Sequence, residues 1–347
     1  MENPGAVNLA TSVRTDWYVG DYAAMALLVV FSGLRFQVGT DYWMYDRNFQ
    51  NVYTQDWSWA LEISRQEYGY TLLELVIRSN TDWRQAMMFV TSALTIIPMY
   101  WMIKKYSPRP GLSVFFYFFL AFYLIPFNIV RQGIAIALNF AAGCLLERGG
   151  VRGYSYFVVL NALAAAFHTS VVAVAAIQLL THRLRMTTIR FAIVMGLGLV
   201  AALAFSTLSV IQNFVTDFNP RYDQYLLADE AGIGTYLLIA AHVSLILVCL
   251  RIGNLDQLTM KYVTWASVGI LFLIIGTQSV VFSRLEFYFA TFLILAVPIQ
   301  LGKLRRARYH LLGMPDLQMI VMGGAVVYTL FYLTNYANLL PYNWRII

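Results

Sequence analysis

Three arginines at the ends of apolar runs, Arg35, Arg131 and Arg284, are the residues here best suited to chemistry. With them stand one histidine inside an apolar stretch, His168, two acids close to the arginines, Asp41 and Glu286, and the polar side chains Gln132, Tyr42 and Tyr45. Arginine offers phosphate oxygens a planar fork of donors and keeps its charge when partly desolvated. A carboxylate or an imidazole nearby can take a proton from a hydroxyl, and the imidazole has the pKa nearest neutrality. Charges inside or at the mouth of an apolar bundle cost free energy and have either a partner or a task.

The elements that must position these residues are membrane helices. Of 347 residues, 59% are hydrophobic and only 12% charged. A soluble domain of this length could not hide so much apolar surface, whereas a spanning helix needs about 20 apolar residues. The expected fold is an all-α, polytopic bundle forming a single transmembrane domain over residues 1–347. Apolar runs predict spans near 17–35, 83–103, 111–128, 132–147, 190–210, 234–251, 262–280, 287–302 and 317–335. The run 153–181 is interrupted by His168, Thr169 and Ser170, with Arg148 and Arg152 before it and Arg183 and Arg185 after it. Two short helices meeting near His168 keep both basic flanks on one side, which brings the total to about eleven segments. It is the one broken span evident in the sequence. No cleavable signal is visible, so the first span reads as a retained anchor.

Basic clusters fix the sides. Fifteen of the 24 basic residues fall on the face that the positive-inside rule makes cytoplasmic, among them Lys104, Lys105, Arg148, Arg183, Lys261 and Lys303. Twelve of the 18 acids fall on the other face. The N-terminus is then cytoplasmic. Long extracytoplasmic loops cover 36–82, with an amphipathic helix near 68–79, and 211–233. The net charge of +6 is spread in short clusters between spans, which argues against a nucleic-acid partner. Arg35, Arg131, His168, Arg284 and Glu286 converge on the outer side, joined by Tyr342, Trp344 and Arg345 of the tail. Arginines at headgroup level suit a diphosphate on a lipid carrier. No Asp-x-Asp pair is present to hold a divalent ion beside it, so arginine would stabilise the leaving group instead.

Arg35-x-x-x-Gly39-Thr40-Asp41-Tyr42-x-x-Tyr45, Arg131-Gln132-x-Ile134-Ala135, His168-Thr169-Ser170, and Arg284 with Glu286 and Tyr288 follow one another in an order that resembles the EpsG family. The similarity runs to the Leu340-Pro341-Tyr342-Asn343-Trp344 tail. It implies a Wzy-like bacterial polysaccharide polymerase in the cytoplasmic membrane. Such an enzyme joins undecaprenyl-diphosphate-linked oligosaccharide repeat units at the outer face, with inversion at the anomeric carbon. The resemblance implies diphosphate binding by Arg35, Arg131 and Arg284, a general base among His168, Asp41 and Glu286, and sugar orientation by Gln132, Tyr42 and Tyr45. It implies no cofactor and no metal. The partners it implies are the lipid-linked glycan, the bilayer and a chain-length regulator.

Plainer readings stand beside these. Arg35 and Arg284 could snorkel to headgroups, Asp41 could cap a turn at Gly39, and His168 could satisfy a broken helix end. His242 reads as a hydrogen bond across helices. His182 and His310 read as solvated. Gly196-x-Gly198 reads as close helix packing, Asp217, Asp223, Asp229 and Glu230 as a solvated acidic loop. Cys144 and Cys249 read as small apolar packers. Trp57, Trp59, Tyr68 and Tyr70 suit an interfacial helix or sugar stacking alike. Rival functions are a transporter or flippase for lipid-linked glycans, which should show broken helices in paired repeats, an O-antigen-ligase-like transferase, and a membrane O-acyltransferase.

Overall fold

The structure is a computed structural model that describes residues 16–207, 232–252, 254–306, 317–335 and 338–345. The expected loop 211–233 falls outside them save for its last two residues, as do His310 and the acids of that loop. All regular structure among the described residues is helical, apart from one β-bridge between Arg35 and Trp344. Helices satisfy every backbone polar group within one segment, which lipid demands.

In chain order the helices are α1 (Val19–Gly33), α2 (Tyr42–Asn51), α3 (Trp57–Ile63), α4 (Tyr68–Asn80), α5 (Gln85–Tyr106), α6 (Pro110–Phe119), α7 (Val130–Leu145), α8 (Gly150–Ala165), α9 (Val171–Thr181), α10 (Thr188–Thr207), α11 (Ile233–Arg251), α12 (Gln257–Ile275), α13 (Val280–Ala290), α14 (Leu293–Arg306) and α15 (Leu317–Asn335). α12 is the hub and packs against α10, α11, α13 and α14. α7 packs against α5 and α8, and α1 lies on α5. Gly198 sits close against Ile274 and Leu271, so it is a packing glycine between α10 and α12, while Gly196 faces open space. Cys144 and Cys249 are fully buried and unbonded to each other.

The span count differs from the expectation. Five helices are long and apolar enough to cross a membrane alone, α5, α10, α11, α12 and α15, and a sixth if the bent pair α13–α14 is one span. The expected eleven are not confirmed, because α1, α6, α7, α8 and α9 have only 15, 10, 16, 16 and 11 residues. At 1.5 Å per residue these reach about 15 to 24 Å, short of a ~30 Å hydrocarbon core.

The predicted hairpin around His168 is present as α8 and α9. Two further breaks were not anticipated. α6 stops at Phe119, and residues 120–129 continue as irregular buried backbone with Ala121 at φ 62°. Its amides are taken up locally: Tyr123 bonds the Tyr117 carbonyl, Ile125 that of Ala121, and Phe127 that of Leu124. Irregular backbone survives at depth only where protein surrounds it in this way. The second break bends α13 against α14 by 45°. There the Thr291 hydroxyl donates to the Phe287 carbonyl, a back-bond that bends helices.

Helix ends that share a face are tied to each other. At one face Lys104 pairs with Asp21 at 2.8 Å, Lys261 with Glu147, and Lys303 with Asp256 at 3.2 Å. Tyr154 meets His182 there at 3.2 Å, and Arg109 meets Gln318 at 3.1 Å. This is the lysine-rich end. α2, α3 and α4 cover the opposite, loop-bearing end, and α4 matches the amphipathic helix expected near 68–79.

Candidate functional site

At the loop-bearing end the start of α4 is docked onto the end of α8. The Gly69 amide donates to the Ala166 carbonyl at 2.8 Å. A Cβ on Gly69 would meet that oxygen at 2.7 Å, so only glycine permits the approach. The docking carries Glu67, the residue that precedes α4, into the gap between α7 and the α8–α9 turn. There Glu67 Oε1 lies 2.9 Å from His168 Nδ1, and Oε2 accepts from the Arg131 guanidinium. A carboxylate has no proton to give, so Nδ1–H donates, and in the neutral ring Nε2 then carries the lone pair. Among the described residues Nε2 has no hydrogen-bond partner. The His168 side chain is 28% exposed, Glu67 16% and Arg131 23%. Burial alone would raise the Glu67 carboxyl, but the His168 hydrogen bond and the Arg131 charge outweigh it and hold Glu67 below the usual glutamate value.

Other expected residues surround this group. Tyr45 is buried with its hydroxyl facing the Arg131 guanidinium, and burial pushes the phenol up while Arg131 opposes the shift. Gln132 donates to the Arg284 carbonyl at 2.7 Å and so ties α7 to α13. Tyr288 of α13 meets Ser170 at 3.2 Å. Side chains from α2, α7 and α13, and from the N-caps of α4 and α9, are thereby linked around Arg131 and His168.

Arg35 is placed differently. It is only 2% exposed, donates to the Ser32 carbonyl and hydroxyl at 3.0 Å each, and lies 4.7 Å over the Phe127 ring. It lines a small cavity with Ser92, Thr95 and Tyr123. Snorkelling does not describe an arginine held inward like this. Most of the motif after it is accounted for by packing. Gly39 adopts φ 102° close to the Asn128 side chain and the Phe127 carbonyl. Thr40 sends both its amide and its hydroxyl to Asn128 Oδ1, at 2.6 and 3.0 Å. Tyr42 donates to Gln85 Oε1 at 3.2 Å, and burial pushes its phenol up to about 12. Asp41 occupies the N-cap of α2, yet its carboxylate takes no capping bond. It stays half-buried, close enough to Tyr45 for its charge to be felt there.

Glu286 does not join the Glu67 group. It is fully buried and pairs with His242 of α11, Oε1 to Nδ1 at 2.6 Å. Phe122 from the irregular segment stacks on the imidazole at 6.0 Å. The hydrogen bond across helices expected of His242 is present, with an unforeseen partner. Among the described residues His242 Nε2 and Glu286 Oε2 have no hydrogen-bond partner.

Sequence reasoning missed Glu67. Seven acids lie between residues 36 and 82, and only the N-terminus of the predicted helix near 68 marked this one. It also missed Glu74, buried with Tyr70 on the same face of α4. Among the described residues no group of three or more His, Cys, Asp or Glu gathers as a metal site. What the arrangement offers is an imidazole base oriented by a carboxylate, with a guanidinium on the other oxygen of that carboxylate.

Comparison with known proteins gives one match. The model of the EpsG family fits residues 22–344, nearly the whole chain. No curated protein and no solved structure matches.

Proposed function

The chain belongs to the EpsG family, and from that membership we propose that it is a membrane polysaccharide polymerase acting on undecaprenyl-diphosphate-linked oligosaccharides. The loop-bearing end then faces the outside of the cytoplasmic membrane, and the lysine-rich end faces the cytoplasm. One observation carries the reading: a single carboxylate, Glu67, holds Arg131 and His168 side by side at that end.

The reaction is a single displacement. A hydroxyl of the acceptor unit attacks the anomeric carbon of the growing glycan. His168 Nε2 takes the hydroxyl proton while Glu67 steadies the imidazolium that forms. The bond from the anomeric carbon to the phosphate oxygen breaks, and undecaprenyl diphosphate leaves with both electrons. Arg131 and Arg284 take up the charge that develops on it. Inversion at the carbon follows from one displacement. Arg35, tied to Ser32, acts as a buried strut behind Tyr42 and Gln85. Asp41 and Tyr45 line the approach for acceptor sugars, and Gln132 fixes the α7–α13 junction.

The test is purified protein given a defined lipid-linked repeat unit, with products resolved as a glycan ladder. The parent should build the ladder. Arg131→Ala, shown folded by thermal unfolding, should lose it. A parent that builds no ladder, or an Arg131→Ala protein that polymerises at the parent rate, would overturn the reading. Cysteine labelling from each side of the membrane, at positions beside Glu67 and beside Lys303, tests the orientation separately.

A further inference from the structure

One helix face carries two carboxyl groups in opposite circumstances. Glu67, at the N-cap of α4, and Glu74, two turns into it, lie seven residues apart, with Tyr70 between them. Glu67 is held by a histidine and an arginine. Glu74 is only 1% exposed, and its Oε2 accepts one hydrogen bond, from Gln66 Nε2 at 2.8 Å. Glu74 Oε1, Tyr70 Oη, Gln66 Oε1 and Arg131 Nε are all buried with no hydrogen-bond partner among the described residues. Two carboxylates ionised this close to one arginine would compete for it. The arrangement seen, with Arg131 on Glu67, suits a Glu74 that carries no charge.

We propose that Glu74 is a positioning residue, protonated while the Glu67–Arg131–His168 arrangement is intact, and that losing this proton draws Arg131 away from Glu67. Through Gln66 it also steadies the residue next to Glu67. Buried acceptors such as Gln66 Oε1 suit a carboxylic acid proton, whereas a bare carboxylate would leave them facing like charge. Desolvation agrees with the geometry: burial raises Glu74 to about 8, against lowering by Gln66 and by the Arg131 charge. A pair of carboxyl groups pushed apart in this way separates the roles of an ionised and a protonated acid.

The groups that bear on Glu74 are few. Tyr70 stands beside it on α4, with Tyr45 of α2 and Arg35 acting on Tyr70 from the other side. Arg131 approaches from α7. Arg78, one turn on, is paired with Asp82. Arg84, at the start of α5, is turned to Asp46 and Gln50, and Glu62 of α3 is exposed.

The effect on rate rests on the polymerase reading, and the effect on stability does not. The full chain and its Glu74→Gln variant are therefore compared by two measurements across pH, the thermal unfolding midpoint and the initial polymerisation rate. A carboxyl raised from the ordinary 4.5 to about 8 binds a proton in the folded state that the unfolded chain has lost. The parent's stability must then fall as pH rises between those values. The parent midpoint should decline across this window, and Glu74→Gln, which keeps the shape without the proton, should flatten it. Above pH 8 the parent rate should fall, approaching about tenfold per pH unit, while Glu74→Gln holds its rate. A parent midpoint that is level from pH 5 to pH 8, or an unchanged alkaline fall in Glu74→Gln, overturns the role of Glu74. A midpoint slope that Glu74→Gln removes, with no polymer from either protein at any pH, upholds the proton on Glu74 and overturns the polymerase reading instead.

Discussion

Glu67–His168 and Glu286–His242 are the same chemical pair placed in two environments. In both a carboxylate oxygen meets Nδ1 within hydrogen-bond distance, at 2.9 and 2.6 Å. The first pair is partly exposed and shares its carboxylate with Arg131. The second is sealed, at 2% and 0% exposure, under the Phe122 ring. Hydrogen bonding alone therefore does not make a site. On the proposed reading a site also needs access for a hydroxyl and a cation to meet the leaving charge, and of these two pairs the one at the loop-bearing end has both. The sealed pair joins α11 to α13 as a cross-helix strut.

The comparison can be broken at several points. Arg131→Ala should have the largest effect, because a charge stabiliser aimed at a leaving group is worth about 100- to 1000-fold. Initial rates of ladder formation measure it. A loss under threefold would put Arg131 with the struts. His168→Gln should cost about 100-fold through the lost base while leaving the thermal midpoint close to that of the parent.

The mirrored substitution should separate the pairs. His242→Ala leaves Glu286 buried without its partner, a cost of about 3 kcal/mol or more. Thermal unfolding should show a clear fall in the midpoint, while the rate per folded molecule stays within about threefold of the parent. A His242 variant that is stable yet inactive would reverse the assignment of the two pairs.

A third polar cluster supplies a smaller reference value. Asn139, Asn161 and Gln178 join α7, α8 and α9 through side-chain amide hydrogen bonds of 2.8 to 3.0 Å, and Trp265 donates to the Gln178 backbone carbonyl. Asn139→Leu should lower stability by about 1 kcal/mol, the usual scale for such bonds in membranes, without touching the rate.

The smallest effect concerns pH on the acid side. Glu67 is held below the ordinary glutamate value of 4.5. Its stabilising share is full above that value and is lost as pH falls below it, through the folded pKa. Glu67→Gln should remove this acid-side loss from the midpoint-versus-pH curve. An unaltered curve would mean that the ion pair contributes nothing to stability.

Part of this was legible in the sequence. Basic flanks at Arg148, Arg152, Arg183 and Arg185 forced a hairpin around His168, and the structure has it. Charge and span order also placed Arg131 and His168 at one end, because side assignment depends on sequence order rather than on packing. Glu67 was not legible, since its role arises when Gly69 meets Ala166 across 97 positions of chain. Nothing in the apolar run 111–128 marks a break at Phe119 except Pro126, and proline signals an end without saying how far before it the helix stops. Glu286 read as part of the outer group because it opens the same segment as Arg284, but the two face differently on a helix, and Glu286 turns to His242. The expected span count is not confirmed, because apolar length was counted and helix length was not visible.

The central claim is that one histidine of the two does the chemistry. The most direct test is the initial rate of ladder formation by purified, folded His168→Gln and His242→Gln proteins on the same undecaprenyl-diphosphate-linked unit. A rate lost at position 168 and kept at position 242 is the expected result. Parent-like polymerisation by His168→Gln, with or without loss in the other protein, would contradict it.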